Sequence, residues 1–241
     1  MKAVIVTGAS RGLGRAIALR FGSADYSVAV NFRERIKEAE DVAGKIEKMG
    51  GRAVLIKADI RNIDDVSGMI DSTISAFGRI DILINNAAIN RDSLLINMNE
   101  DGWKDIIDTN LKGAFNCMRA AAGMIAKSGG GHIINISSFA GLSGRTGQAC
   151  YAASKAGLIG LSRSAAKELA GSNIMVNVVV PGFMEDGMGS GISSGQKDII
   201  IKDNILGKPV SAQAVADFIF HFTSSIGTTG QIFNLDNRVA F

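Results

Sequence analysis

The stretch "AVIVTGASRGLGRAIALRF", residues 3 to 21, decides the fold. Its opening AVIV is continuously apolar, the pattern of a strand covered on both faces. TGASRGLG follows, with Gly8, Gly12 and Gly14 spaced G-x-x-x-G-x-G, and GRAIALRF then continues as a helix. A strand that enters a helix through such a turn leaves unpartnered backbone N–H groups at the positive end of the helix dipole, a ready seat for a dinucleotide pyrophosphate. Glycine suits the turn because a Cβ would block the approach of backbone to phosphate. Gly8, Ser10, Arg11, Gly12, Leu13 and Gly14 are therefore candidate cofactor contacts.

Outward from this turn, short apolar runs alternate with helical patterns: VAVN at 28 to 31, AVLIKAD at 53 to 59, IDILINN at 80 to 86, HIINIS at 132 to 137, IMVNVVV at 174 to 180 and QIFNL at 231 to 235. Alternating strands and helices predict a Rossmann-type, doubly wound parallel sheet of about seven strands with helices on both faces. At 241 residues, 46% hydrophobic, the chain is expected to form a single domain over 1–241. The one compositional break, FMEDGMGSGISSGQKD, predicts a mobile substrate loop at about 183–200.

Composition narrows the function classes. The opening MKAVIVTG is too brief for a signal peptide or a membrane span, so a cytoplasmic protein without membrane contact is expected. Cys117 and Cys150 have no CxxC spacing, and His132 and His221 lie far apart, so no disulfide framework and no metal site is expected. A net charge of +3, with cations scattered among acids, does not suggest a nucleic-acid partner.

The end of the second strand bears on cofactor choice. An acid there grips the ribose 2′-hydroxyl of NAD, whereas cations suit the 2′-phosphate of NADP. The chain reads VAVNFRER, with Asn31 and Phe32 where an acid would sit, then Arg33, and with Arg11 at the glycine turn. NADP(H) is favoured over NAD(H). Farther along, YAASK places Tyr151 and Lys155 four residues apart on one helix face.

TGASRGLG, NNAA at 85 to 88, DTNLKGAF at 108 to 115, INISS at 134 to 138, YAASK at 151 to 155 and PG at 181 to 182 resemble, in order and spacing, the short-chain dehydrogenase/reductases over essentially the whole chain. AINRDSLL, GQACYAASKAGLIGLSRS and PGF are most similar to bacterial 3-oxoacyl-acyl-carrier-protein reductases. The resemblance implies that Tyr151 exchanges a proton with a carbonyl oxygen while nicotinamide exchanges a hydride with its carbon. Free Tyr titrates near 10, and an ammonium about 5 Å away at an effective dielectric of about 20 favours the phenolate by roughly 3 kcal/mol, or roughly two pH units. Lys155 is thus expected to bring the phenol toward neutrality.

By the same resemblance, Ser138 holds the substrate oxygen, Lys155 also bonds the nicotinamide ribose, and Asn110 bends its helix and holds a water that relays protons to Lys155. Asp59 with Ile60 would contact adenine, Asn86 with Ala87 the adenosine ribose, and Pro181 with Gly182 the carboxamide. Three departures stand out: Ala88 where relatives carry glycine, Glu185-Asp186-Gly187 where a threonine is common, and a C-terminal NLDNRVAF without Gly-Gly. Asp186 would repel phosphate.

The resemblance implies a carbonyl substrate, free or carrier-protein-bound. A coenzyme A ester, a cyclic ketone or a sugar alcohol remains open, as does a non-catalytic regulator. Cations for an acidic carrier are sparse, since AKSGGGH at 126 to 132 supplies only Lys127 and AGSN at 170 to 173 none. The helix over 152–170 is apolar on more than one face, which with the resemblance implies a homotetramer or homodimer.

Overall fold

The computed structural model describes residues 1–225 and 227–238. Seven strands form one sheet in the order β3-β2-β1-β4-β5-β6-β7, and every pairing is parallel. They are β1 (Ala3–Val6), β2 (Ser27–Phe32), β3 (Arg52–Lys57), β4 (Ile82–Asn85), β5 (Gly131–Ile136), β6 (Ile174–Pro181) and β7 (Ile232–Leu235). The runs read as apolar become these strands, with β1, β2 and β4 buried throughout. Edge strand β3 instead exposes Arg52, Leu55 and Lys57, polar or half-covered positions that suit a sheet margin.

The connecting helices are α1 (Gly12–Gly22), α2 (Ile36–Lys48), α3 (Ile63–Phe77), α4 (Glu100–Ile107), α5 (Gly113–Lys127), α6 (Ala140–Ser143), α7 (Ala149–Leu169), α8 (Ser194–Lys202) and α9 (Ala212–Ser225). Because strand side chains alternate, Val4 and Val6 join one core with Ile17, Phe21, Val42 and Phe222, while Ile5 joins the other with Met69, Leu83, Cys117 and Ile125. Cys117 and Cys150 are both buried free thiols.

The strand order reverses between β1 and β4, whose register aligns Val6 with Ile84. Their carboxyl ends, Thr7–Gly8 and Asn85–Asn86, therefore emerge side by side at the crevice where ligands bind in open α/β sheets. One expectation needs correction. The segment 183–200 is not a plain loop, because Gly189–Gly191 form a 3₁₀ turn and α8 begins at Ser194. Its glycines and serines suggest a mobile loop, but KDIII carries an anchor: Ile200 is 3% exposed. A second difference is that α7 starts at Ala149, which places Tyr151 inside its first turn.

Candidate active site

The glycine turn is built by contacts within the chain. Gly8 (φ +63°) lies against Ala87, and a methyl group there would stand 2.9 Å from the Ala87 Cα. One on Gly14 would overlap the Gly8 carbonyl oxygen and stand 2.5 Å from Asn86 Nδ2. Asn86 Nδ2 donates to Thr7 O (2.9 Å) and Gly8 O (3.2 Å), so Asn86 and Ala87 buttress the turn. These two glycines thus answer to protein packing before any phosphate.

Gly12 (φ +53°) faces the segment after β6, where a methyl group would meet Gly187 Cα at 2.9 Å. Gly187 itself sits at φ +70°, and two residues without side chains allow the approach. Helix α1 has no carboxylate in its first turn and no side-chain cap from Arg11. Ser10, Arg11 and Leu13 flank these amides, and a diphosphate fits their donors. A cleft of about 1110 Å³ opens beside the turn, bordered by Arg11, Lys37, Glu38, Asp186, Ser190 and Gln213. It borders the phosphate end and not Tyr151. Asp186 lines it, as its sequence position suggested.

At the end of β2, Asn31 is 2% exposed. Its Oδ1 accepts from Gly8 N (3.2 Å), and its Nδ2 donates to Ile56 O (3.3 Å) and Ala58 O (3.1 Å). This side chain is fully engaged in joining strand ends. Phe32 is buried, while Arg33 is exposed and bonds Glu34 (2.9 Å). Asp59 lies nearby, but Arg61 grips its carboxylate through Nε (3.0 Å) and Nη2 (2.6 Å). Burial works to raise the Asp59 pKa, yet hydrogen bonds from Arg61 and its charge, with Arg33 beyond, hold it below the usual carboxylate range. The cap of α3 is Asn62, whose side chain accepts from Asp64 N.

Arg61 also reaches Asp105 (3.4 Å), which Arg91 contacts at 2.7 Å. Sequence reasoning missed this chain of charges; Arg two residues after Asp was the available signal. Ile60 is buried against Gly113, where a methyl group would stand 2.6 Å from its Cδ1.

Tyr151 and Lys155 are 8% and 2% exposed, and the lysine Nζ lies 5.8 Å from the tyrosine ring centroid. Lys155 Nζ donates to Ile136 O at 2.7 Å, and Ser137 Oγ donates to Lys155 O at 3.0 Å. The carboxyl end of β5 thereby fixes both ends of this lysine. Gly141 allows α6 to rest on it, since a methyl group there would stand 2.8 Å from Lys155 Cβ. Burial brings the ammonium down to about 8.

Burial also pushes the Tyr151 phenol up to about 12, against a hydrogen bond with Ser138 that lowers it, while Asp92 raises it further. The expectation of a phenol drawn toward neutrality is therefore corrected. Desolvation outweighs the contact with Ser138. Asp92 accepts from Gln148 Nε2 (2.9 Å) and Asn90 Nδ2 (2.6 Å), forming a polar corner beside the phenol that the sequence did not reveal.

Asn110 lies in a π turn, Asp108–Lys112, between α4 and α5, the irregularity expected at this position. Its Oδ1 accepts from Ile89 N (2.8 Å), and its Nδ2 donates to Ile89 O (2.9 Å) and Ser154 Oγ (3.1 Å). With the carboxamide so occupied, a relay water would have to be held by main-chain atoms.

Pro181 closes β6, and the missing side chain of Gly182 makes room for Val210 and for Asp236, whose Cα would stand 3.3 Å from a methyl group. Asp236 is clamped by Arg238 through Nε (2.8 Å) and Nη2 (2.6 Å). Of the unusual C-terminus, residues 239–241 lie outside the described residues. Among the described residues no cluster suited to a metal occurs, and no helix is long and apolar enough to cross a membrane.

Comparison places this arrangement among known proteins. The family model described as short chain dehydrogenase matches residues 2–197. A 3-oxoacyl-[acyl-carrier-protein] reductase of Staphylococcus aureus (strain Mu50) is 47% identical over 197 residues, covering 82% of this chain and 80% of the relative. One from Synechocystis is 39% identical over 232 residues, covering 96% and 94%. A solved structure from Sinorhizobium meliloti, described as a candidate short-chain alcohol dehydrogenase, superposes with a TM-score of 0.90 at 30% identity and covers 98% of this chain and 95% of its own. The parallel sheet, its glycine turn and these relatives together show that the chain belongs to the short-chain dehydrogenase family of oxidoreductases.

Proposed function

We propose that this oxidoreductase reduces the 3-oxo group of an acyl thioester of the carrier-protein type to the 3-hydroxyacyl product, using NADPH. The observation that carries the reading is the set of a half-buried Ser138 at the end of β5 with buried Tyr151 and Lys155, the ammonium held on the Ile136 carbonyl 5.8 Å from the tyrosine ring centroid. The names of the reductase relatives supply the thioester.

NADPH, when bound, supplies the hydride. The chain's own residues handle the oxygen. Ser138 and Tyr151 donate hydrogen bonds to the carbonyl oxygen and fix its position. As charge grows on that oxygen, the Tyr151 proton moves to it, and the Lys155 ammonium stabilises the phenolate left behind. A phenol held at about 12 is fully protonated at neutral pH, and a lysine held at about 8 is mostly charged, so the resting site is set for reduction. Arg33 and Arg11 would meet the 2′-phosphate, and the amides of Gly12, Leu13 and Gly14 the diphosphate.

The exposed stripe Ala153, Ala156 and Gly160 on α7, beside the apolar recess of Leu111, Phe115 and Leu161, supports a homotetramer or homodimer. A cytoplasmic location and a single domain over 1–241 complete the reading. The scarcity of cations near 126–132 and 170–173 favours a second substrate class, free ketones or secondary alcohols.

NADPH oxidation with acetoacetyl-carrier protein, acetoacetyl-coenzyme A and cyclic ketones separates these classes. Tyr151→Phe should lower turnover at least about a hundredfold with cofactor affinity unchanged. Turnover near wild type would remove Tyr151 from the reaction.

A further inference from the structure

The segment Asp236–Arg238, just past β7, touches three parts of the site rim. Asp236 packs behind Gly182, where a methyl group would stand 3.3 Å from the Asp236 Cα. The carbonyl of Asn237 accepts from Ile205 N (3.1 Å), which ties down the chain emerging from α8. Arg238 lays its guanidinium over the ring of Phe139, 4.2 Å from the centroid.

Phe139 directly follows Ser138 and opens the short turn on which the serine sits. Ala140 N donates to Ser138 Oγ (3.3 Å), and Gly141 N donates to Ser138 O (2.9 Å), so the serine and this turn are one hydrogen-bonded unit. On one side Phe139 packs with Ile159, Val178 and Val180. Arg238 adds a cation to its ring.

The guanidinium is itself immobilised. The Asp236 side chain is 0% exposed and that of Arg238 17%, and the carboxylate accepts from Arg238 N (2.8 Å), Nε (2.8 Å) and Nη2 (2.6 Å). A buried carboxylate with no cation would be strongly unfavourable, so the pair forms as a unit. An Arg held in this way has little rotamer freedom left to lose by stacking, and a partly desolvated cation over a ring is at the stronger end of such contacts.

We propose that Arg238 is a positioning residue for the reaction: clamped by Asp236, it holds Phe139 and thereby fixes the Ser138 hydroxyl toward the substrate oxygen. The proposal rests on the reading of Ser138 given above. It assigns a role to the C-terminal segment that replaces the Gly-Gly of similar chains.

The test measures three quantities on Arg238→Ala and Phe139→Leu in the assembled protein. Phe139→Leu leaves the Asp236–Arg238 pair intact and covers the case in which Arg238→Ala fails to fold. Each variant should lower kcat about tenfold while KM moves less than about twofold. Peptides spanning 138–143 should exchange amide hydrogens faster, and Arg238→Lys should recover part of both effects. In a Ser138→Ala background, Phe139→Leu should lower kcat no further, because the hydroxyl it positions is gone.

Multiplicative losses in that double variant, or unchanged exchange over 138–143, would overturn the proposal. If Ser138→Ala alone retained full turnover, the reading of Ser138 would fail, and the exchange measurement would still report separately on the contact between Arg238 and Phe139.

Discussion

Lys155→Met should make the protein more stable and inactive at the same time. The ammonium is 2% exposed and donates to the Ile136 carbonyl, and burial brings it from the ordinary 10.5 down to about 8. At pH 7 both folded and unfolded chains carry the charge, so the folded chain bears the full penalty, roughly 3 kcal/mol. Met fills similar volume without charge. It leaves the Ile136 carbonyl without its lysine partner, a loss of about 1–2 kcal/mol, so the net gain is roughly 1–2 kcal/mol.

The sign follows from proton counting. Between pH 8 and 10.5 the unfolded chain binds more protons than the folded one, so wild-type stability rises with pH across this window. Near pH 10 the lysine penalty falls to less than about 1 kcal/mol, and the advantage of Met should vanish or reverse. Urea unfolding of both proteins at pH 7 and pH 10 measures the crossing. A variant less stable than wild type at pH 7, or a difference independent of pH, would refute the account of a desolvated ammonium.

Three further outcomes follow. Gly14→Ala places a methyl group on the Gly8 carbonyl and against Asn86; it should destabilise by about 1–3 kcal/mol in thermal unfolding and weaken nucleotide binding in parallel. Arg33→Ala should reduce the ratio of NADPH to NADH affinity by about tenfold in fluorescence titration, and an unchanged ratio would exclude Arg33 from phosphate recognition. Phe115, 41% exposed beside Leu111 and Leu161, should when changed to Asp shift light-scattering mass toward one subunit, and an unaltered mass would move the interface elsewhere.

The sheet was legible because parallel strands covered on both faces are continuously apolar, and AVIV, ILIN and VVV need no partner to be recognised. Ser138, Tyr151, Lys155 and Asn110 were named as candidates from their order along the chain, since their spacing carries the family resemblance. Desolvation was not legible. A sequence places Lys155 four residues from Tyr151, but only packing shows that burial dominates both titrations. Engagement was not legible either: the carboxylate of Asp59 and the carboxamide of Asn110 were read as available, and the structure occupies each with a neighbour, as it does Asn31, read only as standing where an acid would sit. Arg238 and Phe139 meet across most of the second half of the chain, and Asp236 reads as an ordinary turn acid. The mobile substrate loop expected over 183–200 did not foresee the helix from Ser194, because glycine content was weighed above the apolar KDIII run.

Asn31 carries a consequence for redesign. On the proposed NADPH preference, a switch to NAD would ordinarily be sought by installing an aspartate at the tip of the second strand, but this side chain donates to two carbonyl oxygens and has no freedom to turn outward. A carboxylate there would confront both carbonyls and pull the glycine turn away from β3. Nucleotide preference in this enzyme must instead be re-engineered from position 33 outward, on the surface of the second loop, where side chains can change without unstitching the crevice.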